Sequence, residues 1–328
     1  MIEGLTMNSV RIAATAAFAS ILSIAAPAAA QTAPRDFSTM YVFGDSLVDA
    51  GNVKLSTGGA QPNEALGYFQ GRFTNGFDYT DLVSISLFGQ ATRPSLAGGN
   101  NFAFGGARVV TDNVGGLDLA QQLALYQQRI GAGGVADPNA LYVLNFSGND
   151  LFALASNDIG GRTATQYTGL LISGYAGAVQ TLNDLGARNI LITGIPNADN
   201  PAALAIDQAL NLALNGLSLN SATRLDRFSY INFFTTLQTN PAALGLPPQQ
   251  LGVNCINSPA AVANGCRGIF SFDGVHPTAP IHGAIAQELR AQFGIGAVPE
   301  PATWAMMIAG FGLVGVAMRR RTAVPTAA

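Results

Sequence analysis

Only two of the 328 residues are histidines, His276 and His282. Imidazole is the side chain best suited to move protons near neutral pH, so the search for chemistry begins with these two. His276 stands in Ser271-Phe272-Asp273-Gly274-Val275-His276-Pro277-Thr278. A carboxylate three residues before the ring, with a glycine between, can fold back to accept the imidazole Nδ1 hydrogen. That contact fixes the tautomer and stabilises an imidazolium. The plainer alternative is a turn with no catalytic part. His282 falls inside a helical pattern beside Ile281 and Ile285 and reads as an ordinary helix position. The nucleophile candidate is Ser46, in Val42-Phe43-Gly44-Asp45-Ser46-Leu47-Val48-Asp49-Ala50-Gly51-Asn52. A serine that follows a strand and enters a turn can expose Oγ and aim its own N–H at a developing oxyanion. The G-x-S-x-G elbow is absent, because Val48 occupies the final glycine position. A helix cap is the plainer use of such a serine. Asp45, Asp49 and Asp150 read as turn and cap residues that support the site.

Cys255 and Cys266 enclose ten residues, a spacing that suits one disulfide in an oxidising compartment. Closing such a loop stabilises by about 3 kcal/mol when unstrained. Two isolated thiols are the alternative. A zinc site is disfavoured, since no further cysteine and only two histidines are available.

Short apolar runs that alternate with longer helical patterns must position these residues, and that alternation signals a parallel sheet built from βα units. The strand candidates are residues 39–43, 101–104, 141–146, 189–193 and 229–233; the main helix candidates are 79–87, 117–130, 167–185, 203–225 and 281–293. Glycines follow several of the strands, at Gly44, Gly105, Gly106, Gly148 and Gly194. In open parallel sheets, ligands gather beyond the carboxyl ends of the strands. The glycine-rich stretch 51–71 follows the nucleophile and is a candidate for shaping a substrate entrance. No internal repeat or long linker is present, so one domain over 31–296 is the economical organisation.

Both ends are addresses. Arg11, an apolar run over 12–26, Pro27 and Ala28-Ala29-Ala30 form a secretory signal over residues 1–30, with cleavage expected after Ala30 and Met7 as an alternative start. At the other end, residues 302–318 carry no charge and precede Arg319, Arg320 and Arg321. About 17 apolar residues is the lower limit for a bilayer span. Trp304 sits at the edge of the run, where an interfacial aromatic belongs. The overall composition, 48% hydrophobic and 11% charged, is far below the typical charged share of about 25% and excludes a disordered chain. With the ends removed, 12 basic and 17 acidic residues remain, a formal charge of −5. A mildly acidic surface argues against nucleic acid as a partner.

Residues 298–321, with Pro299, Glu300, Pro301, Trp304, Ala305, Met306, Met307, Gly310, Phe311, Gly312, Gly315 and the arginine triplet, resemble the Pro-Glu-Pro C-terminal sorting tail (PEP-CTERM) of Gram-negative bacteria. The resemblance implies a tail over 297–328 with a transmembrane segment, transient membrane insertion, and processing by an exosortase-type protease. Release or attachment at the cell envelope, surface or matrix would follow. A plain C-terminal anchor is the alternative.

As an ordered set, the core segments resemble the GDSL family of SGNH hydrolases. Residues 43–52 match its first block and Asn101-Phe102-Ala103-Phe104-Gly105-Gly106-Ala107 its second. Ser147-Gly148-Asn149-Asp150 matches the third and Asp273-Gly274-Val275-His276-Pro277 the fifth. Residues 71–76, 137–143 and 193–196 are similar to segments of the longer members, so the likeness spans most of 39–293. Three departures are Ser147 where glycine is common, Phe77 where tryptophan often follows Asn-Gly, and Phe272 where tryptophan often precedes the aspartate. None removes a reacting group.

The resemblance implies an α/β protein with a three-layer α/β/α, flavodoxin-like fold and a central parallel sheet of about five strands. It makes Ser46 the nucleophile, His276 the general base and then acid, and Asp273 its orienting carboxylate. The oxyanion donors would be the N–H of Ser46, the N–H of Gly105 and the side-chain amide of Asn149, with Gly106 as the alternative to Gly105. No metal or organic cofactor is implied. The activity to expect is cleavage of a carboxylic ester, of a lipid or another acylated molecule, through an acyl-serine. The rivals are an O-acetylesterase acting on extracellular polysaccharide, and a surface protein that keeps the fold and turns over nothing.

Overall fold

In a computed structural model describing residues 35–111, 117–196, 201–295, 308 and 310–312, short aliphatic runs form one parallel ladder. Strands β1 (Met40–Gly44), β2 (Leu141–Asn145), β3 (Asn189–Thr193) and β4 (Arg224–Phe228) lie side by side in that order. Val42 pairs with Val143, Val143 with Leu191, and Leu191 with Asp226. Successive side chains of a strand point to opposite faces. Met40, Val42, Leu141, Val143 and Leu191 therefore enter one apolar cluster, and Phe43, Tyr142, Leu144, Ile190 and Ile192 enter another. A sheet buried on both faces needs helices on both, which gives three layers.

The helices are α1 (Asn52–Ser56), α2 (Tyr79–Phe88), α3 (Leu119–Ile130), α4 (Gly148–Ser156), α5 (Ala164–Leu185), α6 (Pro201–Asn215), α7 (Tyr230–Thr239), α8 (Pro259–Ala263) and α9 (Ala279–Phe293). Tyr79, Phe233, Ile281 and Ile285 bring α2, α7 and α9 onto one face, while Tyr126, Leu171, Val179 and Leu210 bring α3, α5 and α6 onto the other. Asp78 and Asp81 form a capping box at the start of α2, and Thr163 and Gln166 do the same for α5. Each such cap stabilises by roughly 1 kcal/mol.

Among the described residues the sheet has four strands, fewer than the expected number of about five. The segment at 101–104 does run along the free edge of β1, where Phe102 N–H donates to Val42 O at 2.7 Å and Phe104 N–H to Gly44 O at 3.0 Å. Gly44 N–H, which would continue the ladder to Phe102 O, donates instead to Gln122 Oε1 at 2.9 Å, so the segment makes only an isolated bridge with β1, while the Asn52 side-chain amide takes its outward carbonyls, Asn101 O and Ala103 O, at 2.8 and 2.9 Å. Residues 230–233 are helical: Ser229 caps α7 by accepting from Asn232 N–H, and the strand lies just before it. The expected helix 203–225 stops at Asn215, and its last residues become the start of β4.

A small excursion precedes α9. Strands β5 (Gln250–Asn254) and β6 (Ile269–Ser271) pair around the Cys255–Cys266 disulfide, which is formed, with Ile269 and Phe272 buried against it. No helix among the described residues is long and apolar enough to cross a membrane. The signal expected over 1–30 and most of the apolar run at 302–318 lie outside the described residues.

Candidate active site

At Gly44, where β1 ends, a Cβ would fall 2.4 Å from Val48 Cγ2 and 2.7 Å from Asn145 O, so only glycine lets the chain turn there. Asp45 is buried and fixes the turn, its Oδ1 accepting from Leu47 N–H at 3.0 Å and from Asn145 Nδ2 at 3.1 Å. Burial pushes this carboxyl up to about 7. Ser46 stands at the tip, partly exposed, with Oγ 2.7 Å from His276 Nε2. His276 Nδ1 lies 2.7 Å from Asp273 Oδ2. The other carboxylate oxygen, Oδ1, accepts from Val275 N–H at 2.9 Å and His276 N–H at 2.8 Å. Partial burial alone would raise the Asp273 carboxyl. The His276 ring, its charge and the two backbone N–H groups outweigh that and hold it well below the usual carboxylate range.

Residues 71–76 buttress this turn from the other side. The Phe73 ring lies 5.2 Å from the imidazole, Thr74 Oγ1 donates to Pro277 O at 2.7 Å, and Asn75 Oδ1 accepts from Ala279 N–H at 2.8 Å.

The two glycines after residue 104 differ in what their N–H groups do. Gly105 N–H donates to Asp49 Oδ2 at 3.0 Å, and the same carboxylate accepts from Gly51, Asn52 and Val53. Burial pushes Asp49 up to about 6. The expectation that Gly105 supplies an oxyanion donor therefore meets a physical obstacle, because its only N–H is already bonded. Gly106 is exposed at φ +86°, and its N–H, like that of Ser46, has no partner among the described residues. Asn149, in the first turn of α4, donates one Nδ2 hydrogen to Ala107 O at 3.0 Å and has a second to offer. Asp150, also pushed up to about 6 by burial, accepts from Val109 N–H, Val110 N–H and the Tyr167 hydroxyl. Ser147 sits at φ +91°, which accounts for glycine being common there. A non-glycine residue in that region carries strain on the order of 1 kcal/mol.

A family model described as GDSL-like Lipase/Acylhydrolase matches residues 40–289. The chain belongs to that family. A second model, the PEP-CTERM protein-sorting motif, matches residues 297–321. Among curated relatives, one GDSL esterase/lipase of Arabidopsis thaliana is 30% identical over 205 residues, covering 52% of this chain and 56% of its own length. Another is 32% identical over 206 residues, covering 50% and 56%. The chain thus spans just over half the length of these relatives. Among solved structures, Axe2, an acetylxylan esterase from Geobacillus stearothermophilus, is similar at 16% identity and a TM-score of 0.43, covering 81% of this chain and 98% of that one.

In this GDSL-family chain the Ser46–His276 pair opens onto a cleft of about 490 Å³. Asp45, Ser46, Asn149, Gln238 and His276 are polar members of its lining, and most of the others are apolar, among them Leu47, Leu151, Phe152, Phe234 and Phe270. None of residues 51–71 lines it, contrary to the entrance role expected of that stretch. One of them acts elsewhere. Tyr68, which the sequence motifs do not single out, donates its hydroxyl to Asp273 Oδ2 at 2.8 Å. His282 is buried on α9, its Nδ1 accepting from Tyr79 N–H at 3.3 Å, and burial pushes it down to about 3. No group of His, Cys, Asp or Glu side chains among the described residues is arranged to hold a metal ion.

Proposed function

We propose that this chain is an exported serine hydrolase that cleaves carboxylic esters through an acyl-serine intermediate. The observation that carries the proposal is the unbroken relay from Ser46 Oγ to His276 Nε2 and from His276 Nδ1 to Asp273 Oδ2, at 2.7 Å each. His276 takes the Oγ proton as Ser46 attacks the ester carbonyl, and Asp273 stabilises the imidazolium that forms. The oxyanion is met by N–H of Ser46, N–H of Gly106 and the second amide hydrogen of Asn149. His276 then returns the proton to the departing alcohol. Water, deprotonated by the same ring, releases the acid from Ser46.

The apolar wall of the cleft supports an aliphatic acyl group longer than acetyl. Burial is worth about 0.8 kcal/mol per methylene, so kcat/KM should climb along an acyl series until the cleft is filled. The sorting motif at 297–321 supports export and processing by an exosortase-type protease. A mature chain isolated from its host should lack the arginine triplet, and its mass tests that.

The decisive assay gives the purified protein p-nitrophenyl esters of increasing acyl length, a phospholipid and an acetylated polysaccharide, with Ser46→Ala alongside. Hydrolysis that falls by a factor on the order of 10⁶ in Ser46→Ala supports the mechanism. Undiminished hydrolysis in that variant, or none by the native chain, overturns it. Activity confined to acetyl groups moves the substrate to polysaccharide.

A further inference from the structure

Asp273 Oδ2 accepts two hydrogen bonds from side chains, one from His276 Nδ1 at 2.7 Å and one from the Tyr68 hydroxyl at 2.8 Å. The tyrosine comes from a segment 205 residues away and is held there by ring contacts, with its centroid 5.0 Å from that of Phe272 and 6.4 Å from that of Phe73. Its ring also packs on the Cys255, Cys266 and Ile269 cluster. We propose that Tyr68 is a positioning residue that sets how strongly Asp273 holds the imidazole, by sharing the carboxylate oxygen that His276 uses. This rests on the hydrolase mechanism proposed above.

Anchoring alone does not account for the contact. Asp273 Oδ1 is already pinned by two backbone N–H groups, so the carboxylate keeps its place without the tyrosine. What the hydroxyl changes is electron density at Oδ2. Each donor to a carboxylate stabilises the anion and leaves less lone-pair density for the next. With the hydroxyl in place, Asp273 binds the Nδ1 hydrogen firmly enough to orient the ring, yet the imidazolium is stabilised less than by an unshared carboxylate. That balance suits a group that must both take a proton from Ser46 and return it to the leaving alcohol. The other titratable groups around the pair are Asp45, beside Ser46 in the cleft wall, and His282 on α9, which burial and then the charge of His276 push down. Neither touches Oδ2.

Tyr68→Phe keeps the ring and removes the hydroxyl. The acid limb of its kcat/KM profile should lie at higher pH than that of the native chain. Below the limb, the variant should then lose roughly threefold to tenfold more activity than on its plateau. Site-specific 3-fluorotyrosine at 68, a more acidic donor of the same shape, should move the limb the other way. A parallel measurement needs no turnover: in Ser46→Ala, the His276 Nδ1 proton resonance should move downfield when Tyr68→Phe is added. His282 does not confuse the signal, because its Nδ1 is an acceptor. Superimposed limbs, a uniform loss at all pH values, or an unmoved resonance would overturn the proposal. A shifted resonance in a chain that hydrolyses nothing would instead fault the hydrolase mechanism and leave the Tyr68 contact standing.

Discussion

On the Ser46 side of the cleft, Asp45, Asp49 and Asp150 are buried beyond the strand ends and accept backbone N–H groups, and burial raises them to about 7, 6 and 6. On the imidazole's side, Asp273 lies in a turn next to the disulfide-bonded excursion, and its interactions with His276 hold it low. One residue type thus does two jobs. The buried carboxylates are geometric: they tie the loop after β1 to Gly105 and α4 to residues 109 and 110, where ionisation is a liability. The half-buried one, Asp273, is held low by its hydrogen bonds, and its charge is what the proposed mechanism uses. Removal of charge should therefore be felt at 273 in catalysis and at the other three in stability.

The sharpest break in that comparison would come from Asp273→Asn. The asparagine oxygen can still accept from Val275 and His276 N–H, so the turn survives, while the charge is lost. The expected fall in kcat is on the order of 10⁴. A fall of only a few fold would make Asp273 one more turn-former and erase the contrast. Next in size is Asn149→Ala on the Ser46 side, which removes the proposed oxyanion donor and should lower kcat by roughly 10² to 10³ at nearly constant KM. A rise in KM alone would place Asn149 in substrate binding instead.

Legibility in the sequence followed the range of the interactions. Asp273 and His276 are three residues apart and close through a local turn, so their pairing could be read from the chain. Which of the Gly105 and Gly106 N–H groups is already bonded could not, because the acceptor is Asp49, 56 residues away. Tyr68 lay beyond reach for the same reason. The run Asn189–Thr193, aliphatic at its centre, was plain as a strand, whereas Arg224–Phe228 was not: it carries three charges, with Asp226 paired to Arg35 and Arg224. Its neighbour 229–233, rich in aromatics, looked more like a strand and is helix from Tyr230 onward. The edge position of β4 overrode composition there.

The disulfide offers a milder test of the imidazole's side. Replacing both Cys255 and Cys266 with serine should lower stability by about 3 kcal/mol. The loss should be local first, with proteolysis entering residues 246–271 before the four-stranded sheet. Activity should fall with it, because Tyr68 and Phe272 pack on that cluster. Cleavage that begins in the sheet would show that the excursion is no weaker than the core.

The smallest effect is the pH dependence of stability, and its sign separates the two kinds of aspartate. A carboxyl raised on folding contributes stability that is fully present below its unfolded value and is lost as pH climbs through the folded one. Asp45, Asp49, Asp150 and Asp78, the last pushed up to about 8 by burial and the charge of Asp81, all act in that sense. Asp273 acts oppositely, contributing above the ordinary carboxylate value and losing that contribution only in stronger acid. His282, held neutral by burial, also loses stability on acidification, but it is one group against four. Calorimetry should therefore show Tm rising as pH falls from about 8 to about 5, then dropping below about 4 as Asp273 protonates. Asp45→Asn should flatten the part of the slope near neutrality. A Tm that falls steadily from about pH 8 to 5 would mean that these buried carboxylates ionise freely, and that their N–H partners serve as charge stabilisers after all.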